Sequence, residues 1–163
     1  MTGPQIDGGL NRGPTEGRVI KNPVGGTIVF KASAAETSDS MTAFETVVPE
    51  GEGPPVHAHR EQHEVLYIVE GTFRVLLGED VQPAPEGAFV HIPRGLPHTW
   101  QNTGPATGRM LAIFVPGAPG MERFFEQFAA EDGEESAAVR FRRLGEPAGM
   151  DTLGPPLSQS HPL

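Results

Sequence analysis

Residues 57–71 read His57-Ala58-His59-Arg60-Glu61-Gln62-His63-Glu64-Val65-Leu66-Tyr67-Ile68-Val69-Glu70-Gly71, and this stretch decides the fold class. Its second half, Val65 to Val69, consists of β-branched and aromatic residues with one leucine, side chains that suit a pleated surface better than a helix. Just upstream, Gly53-Pro54-Pro55 keeps the chain extended, because proline pushes its predecessor out of the helical region and offers no amide to a helical ladder. The reading is two strands joined by a turn over Arg60 to His63, with Glu64 opening the second strand. On that strand Glu64, Leu66 and Ile68 share one face. A rival reading pairs His59 with His63 at i, i+4 on a helical turn that could also grip a metal, but the flanking residues leave such a helix little room.

Outward from this stretch, short apolar and β-branched runs recur at Thr27 to Lys31, Met41 to Val48, Thr72 to Leu77, Ala88 to Ile92, His98 to Asn102 and Arg109 to Val115, each bounded by turn residues. Glu70-Gly71 and Gly78-Glu79-Asp80 read as tight turns, making Val65 to Leu77 a hairpin, and Pro83 to Gly87 reads as a loop. Met121, Phe124, Phe125 and Phe128 follow the i, i+3, i+4, i+7 spacing of one helix face, expected to pack on the outside of the sheets. A second helix is expected from Ser136 to Leu144, ending at Gly145, with an extended tail from Gly154 to Leu163. The organisation expected is a flexible N-terminal arm over 1–17, a β-barrel over 18–117, and a C-terminal helical segment and tail over 118–163 packed on the barrel.

The chain has 163 residues, 37% of them hydrophobic, enough for one modest core and too few for two large domains. Its 21 glycines and 17 prolines suit a turn-rich all-β domain. A net charge of −9 repels phosphate backbones and anionic lipid alike, so neither nucleic acid nor membrane is an expected partner. Cysteine is absent, which excludes disulfides, thiolate nucleophiles and iron–sulfur clusters and leaves histidine and carboxylate as the metal-binding groups. The N-terminal stretch lacks the apolar core of a signal peptide and no later run approaches a membrane span, so a cytoplasmic protein is expected.

Five of the 6 histidines, His57, His59, His63, His91 and His98, fall in one quarter of the chain. His57 and His59, two apart on a strand, point to the same face roughly 6–7 Å apart, close enough to converge on one ion. His98 enters from another strand after the rigid Pro93-Arg94-Gly95-Leu96-Pro97 loop. Three imidazoles and the Glu64 carboxylate would suit one divalent transition metal, Mn, Fe, Co, Ni, Cu or Zn, with positions open to substrate on an octahedral ion. The alternative is an empty barrel whose histidines hydrogen-bond one another. His63 and His91 fall outside this set and are read as turn or supporting residues, and His161 as solvated. Asn102 reads as a structural hydrogen-bonder. Leu66, Phe89, Trp100 and Phe114 read mainly as core, with a pocket lining above the metal as the other possibility.

Two motifs in these residues resemble the cupin superfamily. Gly51, five residues, His57-Ala58-His59, four residues, Glu64, six residues and Gly71 match the first cupin motif without departure; Gly87, five residues, Pro93-Arg94-Gly95, two residues, His98, three residues and Asn102 match the second. The resemblance implies a cupin-type jelly-roll β-barrel in which His57, His59, Glu64 and His98 are metal ligands, and a homodimer. The runs Gly53-Pro54-Pro55, Glu64 to Gly71, Phe89 to Gly95 and Gly154-Pro155-Pro156-Leu157 are similar to bacterial single-domain quercetin 2,3-dioxygenase-like cupins. That finer similarity implies a metal-dependent dioxygenase acting on a phenolic or flavonol-like small molecule, with Glu64 catalytic as acceptor of a substrate hydroxyl proton. A non-catalytic small-molecule-binding or sensory cupin is the second expectation. A non-redox isomerase or epimerase ranks below both, since phosphorylated sugars demand a cationic site and only Lys21 and Lys31 accompany the arginines.

Overall fold

A computed structural model describes residues 8–163. Eleven strands run β1 (Val19–Lys21), β2 (Thr27–Ala32), β3 (Thr42–Val48), β4 (Pro55–His59), β5 (His63–Glu70), β6 (Thr72–Leu77), β7 (Asp80–Pro85), β8 (Phe89–Ile92), β9 (His98–Asn102), β10 (Gly108–Val115) and β11 (Met150–Pro156). Three helices lie C-terminal to β10: α1 (Pro119–Ala130), α2 (Ala137–Gly145) and the single turn α3 (Leu157–Ser160). The strands form two antiparallel sheets, ordered β1-β2-β3-β10-β5-β8 and β11-β4-β9-β6-β7. The expected all-β jelly roll is thus present, as a sandwich of two sheets rather than a closed barrel.

The alternation read from the sequence sets the inner faces. On β5, Glu64, Leu66 and Ile68 are buried between the sheets while Tyr67 is exposed. On β10, Met110, Ala112 and Phe114 point inward opposite Ile68, Leu66 and Glu64. Full burial of side chains such as Leu66, Ile68 and Phe114 contributes about 1.5–3 kcal/mol apiece.

The expected Val65–Leu77 hairpin does not form. β5 belongs to the six-stranded sheet and β6 to the five-stranded one, and the chain crosses between them at Gly71, whose φ of 93° favours glycine. One residue between two strands cannot supply the two-residue loop of a tight hairpin, so the left-handed kink turns a corner instead. The hairpin lies one strand later, β6 to β7, closed by Gly78 and Glu79 with Leu77 opposite Asp80. The loop expected over Pro83 to Gly87 is correspondingly shorter, because β7 runs through Pro83 and Pro85. Both prolines are tolerated because β7 pairs only with β6 and its other edge is free.

At the C-terminus, Met150–Pro156 is a strand laid against β4, and the tail expected to continue extended turns once as α3. Helix α2 starts at the Ser136 cap, whose side chain accepts a hydrogen bond from the Val139 amide at 3.3 Å. Helix α1 carries Met121, Phe124, Phe125 and Phe128 on one face as expected, but that face reaches between the sheets rather than lying outside them. Phe125 sits 5.0 Å from the inward-facing Phe44, and Phe124 is 1% exposed.

Residues 1–7 of the expected N-terminal arm lie outside the described residues. Further along it, Lys31 Nζ donates to the carbonyls of Gly13, Pro14 and Glu16, each at 3.0 Å, and Arg12 pairs with Glu36 at 2.8 Å.

Candidate metal centre

Three strands and two sheets bring the sequence-predicted residues together. His57 and His59 come from β4, His98 from β9 and Glu64 from β5 across the sandwich, and all four are buried at 1–5% exposure. Each offers one ligand atom, and the four atoms lie within 4.8 Å of one another. The local backbone explains the convergence. Gly53 lets the lead-in to β4 pass so close to β9 that a Cβ there would fall 2.0 Å from the Trp100 carbonyl oxygen. Gly95 adopts a φ of 80° in the loop before β9, and its amide donates to the His59 carbonyl at 2.7 Å.

The imidazoles are held for lone-pair donation. His57 Nδ1 lies 2.7 Å from the Pro55 carbonyl and His98 Nδ1 lies 2.8 Å from the Leu96 carbonyl. A carbonyl only accepts, so Nδ1 carries a proton in both rings; the neutral His57 ring presents its Nε2 lone pair to the cluster, whereas His98 Nε2 is hydrogen-bonded to Glu64 Oε2 at 3.0 Å and would present a lone pair once an ion replaced that contact. Burial, reinforced by the charges of His98 and His59, pushes the His57 pKa well below the ordinary histidine value and keeps the ring neutral. For Glu64 burial opposes ionisation, but His59 and His98, whose Nε2 atoms lie 3.1 and 3.0 Å from Oε2, outweigh it and hold the carboxyl well below the usual range.

His59 supplies the test of fit for a metal. Both its ring nitrogens are buried without a hydrogen-bond partner, and Nε2 approaches Glu64 Oε2 to 3.1 Å without hydrogen-bond alignment. Leaving such polar atoms unpaired costs about 1–3 kcal/mol each. A cation drawn to the imidazoles and the carboxylate removes that cost at Nε2, so the donor set fits a divalent transition metal that His57, His59, Glu64 and His98 would hold.

Beside the four donors lies a cavity of about 50 Å³. Leu66, Trp100 and Phe114 line it and also belong to the core, so both readings of these three residues hold. Phe89 does neither: it is 68% exposed, because on β8 Val90 and Ile92 face inward. His63 and His91 face away from the cluster, their rings stacked 5.6 Å apart, with Arg94 Nη2 3.2 Å from His63 Nε2. Asn102 is structural, donating to the Val48 and Ala106 carbonyls and accepting from the Gly104 amide, each at 2.9 Å.

Sequence reasoning missed the aromatic cover. Phe124 and Phe125 of α1 and Phe141 of α2 line the same cavity, and the Phe141 ring lies 5.7 Å from that of His57. The four-residue apolar spacing on α1 was the available signal for the first two; nothing local marks Phe141.

Residues 44–114 match the Cupin domain family, and this segment contains all four cluster residues. Protein SchB of Streptomyces halstedii is 33% identical over 92 residues, covering 56% of this chain and 65% of SchB, so the match spans less than two thirds of that relative. An RmlC-like cupin from Shewanella frigidimarina NCIMB 400 superposes with a TM-score of 0.59 at 20% identity, over 69% of this chain and 94% of that one. The polyketide cyclase RemF from Streptomyces resistomycificus gives 0.57 at 20% identity, over 67% and 80%. At these identities the two structural likenesses are likenesses of fold. No helix among the described residues is long and apolar enough to cross a membrane.

Proposed function

We propose that this protein is a metal-dependent dioxygenase acting on a phenolic small molecule. The observation that carries the reading is the buried cluster of three imidazoles and one carboxylate opening on a chamber walled by Trp100, Phe114, Phe124 and Phe125. A bound redox-active divalent ion would supply a site for substrate oxygen and one-electron exchange with dioxygen. The chain's own residues do the rest. His57, His59 and His98 would hold the ion from two strands, His57 and His98 oriented by Nδ1 hydrogen bonds to the Pro55 and Leu96 carbonyls and His59 by its ring packed edge-on to Phe114. Glu64, on the lining of this chamber, accepts the proton of a substrate hydroxyl. The apolar walls keep bulk water from the donors, which strengthens each polar interaction inside, and leave room beside them only for the reacting edge of a phenolic substrate.

The chamber also bears on the alternatives. Neither lysine nor arginine is among the residues that line it, so a phosphorylated sugar would find no cationic grip directly beside the donors. The similarity of the Gly53-Pro54-Pro55 and Glu64–Gly71 runs to quercetin 2,3-dioxygenase-like cupins supports the phenolic substrate class.

The test is oxygen uptake by metal-stripped protein reloaded separately with Mn, Fe, Co, Ni, Cu or Zn and presented with flavonols and catechols. Dioxygenation consumes one dioxygen per substrate with no added reductant, so stoichiometric uptake with a redox-active ion, lost in Glu64→Gln, is the expected result. No uptake with any pair overturns the oxygenase and leaves a binding module.

A further inference from the structure

The chamber beside the metal cluster is too small for the substrate proposed above. At about 50 Å³ it admits a molecule the size of dioxygen or water, whereas ligand sites for drug-sized ring systems run to roughly 300–1,000 Å³. A second cavity of about 630 Å³ lies against it and opens to the surface between α2, β11 and the lead-in to β4. Pro23, Val24 and Phe141 line both spaces. Phe141 is 5% exposed and packs edge-on to Phe124 at 5.3 Å and to His57 at 5.7 Å, so one ring is the partition between the groove and a predicted metal ligand.

The groove is built for an aromatic body with polar substituents. Val24, Pro55, Phe128, Val139 and Pro155 supply apolar walls. Glu52 and Arg142 stand on the same lining, and neither forms an ion pair among the described residues. Thr152 is directly opposite His57 in the β11–β4 register and also lines the groove, and its Oγ1 is buried with no hydrogen-bond partner. A phenolic hydroxyl both donates and accepts, which matches an unpaired carboxylate, an unpaired guanidinium and an unsatisfied hydroxyl on one lining.

We propose that this groove binds the ring system of a hydroxylated aromatic ligand, with Thr152 Oγ1, Glu52 and Arg142 contacting its hydroxyls, and that the Phe141 ring swings aside to admit its reactive edge to the metal cluster. The proposal rests on the phenolic reading of that cluster but concerns different residues.

The experiment uses the full chain loaded with redox-inert zinc, so that nothing is consumed, and quercetin as the probe, titrated by absorbance and fluorescence. Val139→Trp fills the groove from an exposed position on α2 and is expected to weaken quercetin binding at least tenfold with zinc content and melting temperature unchanged. Thr152→Val, which removes only the hydroxyl, is expected to weaken it three- to tenfold and serves if the tryptophan variant fails to fold. Phe141→Ala, which removes the partition, is expected to speed zinc removal by a chelator several-fold over wild type, and an unchanged rate overturns the gate. Wild-type protein that does not bind quercetin, or binding that survives both Val139→Trp and Thr152→Val, overturns the proposal. These outcomes separate from the oxygenase reading: groove-dependent binding without oxygen uptake under any metal would retain the groove and discard the oxygenase, and uptake with binding indifferent to the groove variants would do the reverse.

Discussion

His57 on β4 stands directly opposite His98 on β9, their rings 4.3 Å apart, and this is the one register pair through which the two strands meet among the described residues. The ladder is therefore thinnest where the candidate ligands lie, and an ion held by both side chains would tie β4 to β9 at that point.

Metal loading is accordingly expected to raise the melting temperature, by mass action worth about 4 kcal/mol when free metal exceeds its dissociation constant a thousandfold. His98→Ala should remove that shift. Loss of a supporting contact to a metal ligand already costs 10–100-fold in affinity, so loss of the ligand itself should cost more than about 100-fold. The pairing of residue 98 with His57 and Leu77 is a backbone ladder that alanine keeps, so circular dichroism of the variant should stay that of a β protein. Unchanged metal content in His98→Ala, measured by elemental analysis after dialysis, would remove His98 from the ligand set.

Two neighbouring glycines separate backbone conformation from close approach. At Gly51 the φ of 80° favours glycine but nothing lies within 4 Å of an added Cβ, so Gly51→Ala should cost about 1 kcal/mol. At Gly53 the Cβ would meet the Trp100 carbonyl at 2.0 Å, and backbone must move to relieve it. Gly53→Ala should cost about 3 kcal/mol or more and displace the start of β4. Urea denaturation of the two variants checks the order; equal costs would mean that β4 and β9 do not approach as described.

The clustering of His57, His59, Glu64 and His98 is legible because its parts are local: H-x-H on one strand, a carboxylate near the start of the next, and a histidine behind a Pro-Arg-Gly loop each occupy a short window with strand periodicity. What failed was of longer range. Gly71 reads as a turn in any window, but whether the next strand pairs back or joins the facing sheet depends on partners β9 and β7, which lie elsewhere in the chain. Phe89 reads as core or pocket lining as an apolar residue of its strand, yet the parity of β8 is set by Val90 and Ile92, and as an edge strand β8 leaves its other face open. Phe141 sits on a helix whose partner face is decided by how α1 and β11 close the end of the sandwich, a relation no local spacing carries.

Glu36 links the N-terminal segment to acid stability. The Arg12 guanidinium hydrogen-bonded to its carboxylate, together with the Ser33 amide and hydroxyl, lowers its pKa to about 2. Because the folded value lies below the ordinary 4.5, the contribution is present in full above that value and is lost as pH falls through about 2. The stability difference between wild type and Glu36→Gln should therefore be constant above about pH 5 and shrink towards pH 2. The pair is substantially exposed and screened, so the difference should also fall in high salt. Urea midpoints across this range check it, and a gap that widens on acidification would reverse the sign and discard the pairing.

Asn102 offers a test in which the nearly isosteric substitution should be worse than truncation. Its Nδ2 donates to the carbonyls of Val48 and Ala106 while Oδ1 accepts from the Gly104 amide, and the side chain is fully buried at the end of β9. Asn102→Ala leaves buried carbonyls and an amide unpaired, at about 1–3 kcal/mol per group. Asn102→Asp keeps the shape and the acceptor for Gly104 but places a carboxylate oxygen against two carbonyl oxygens. The variant must then hold a buried charge against like dipoles, or protonate and satisfy only one of the two carbonyls. Asn102→Asp should thus be less stable than Asn102→Ala at neutral pH and recover part of the deficit on mild acidification, where the carboxyl takes up its proton. Neither change touches the His57, His59, Glu64 and His98 side chains, so folded variant should load metal as wild type does. Greater neutral-pH stability of the aspartate variant would show that the Asn102 amide does not bridge β9 to the end of β3 and the turn before β10.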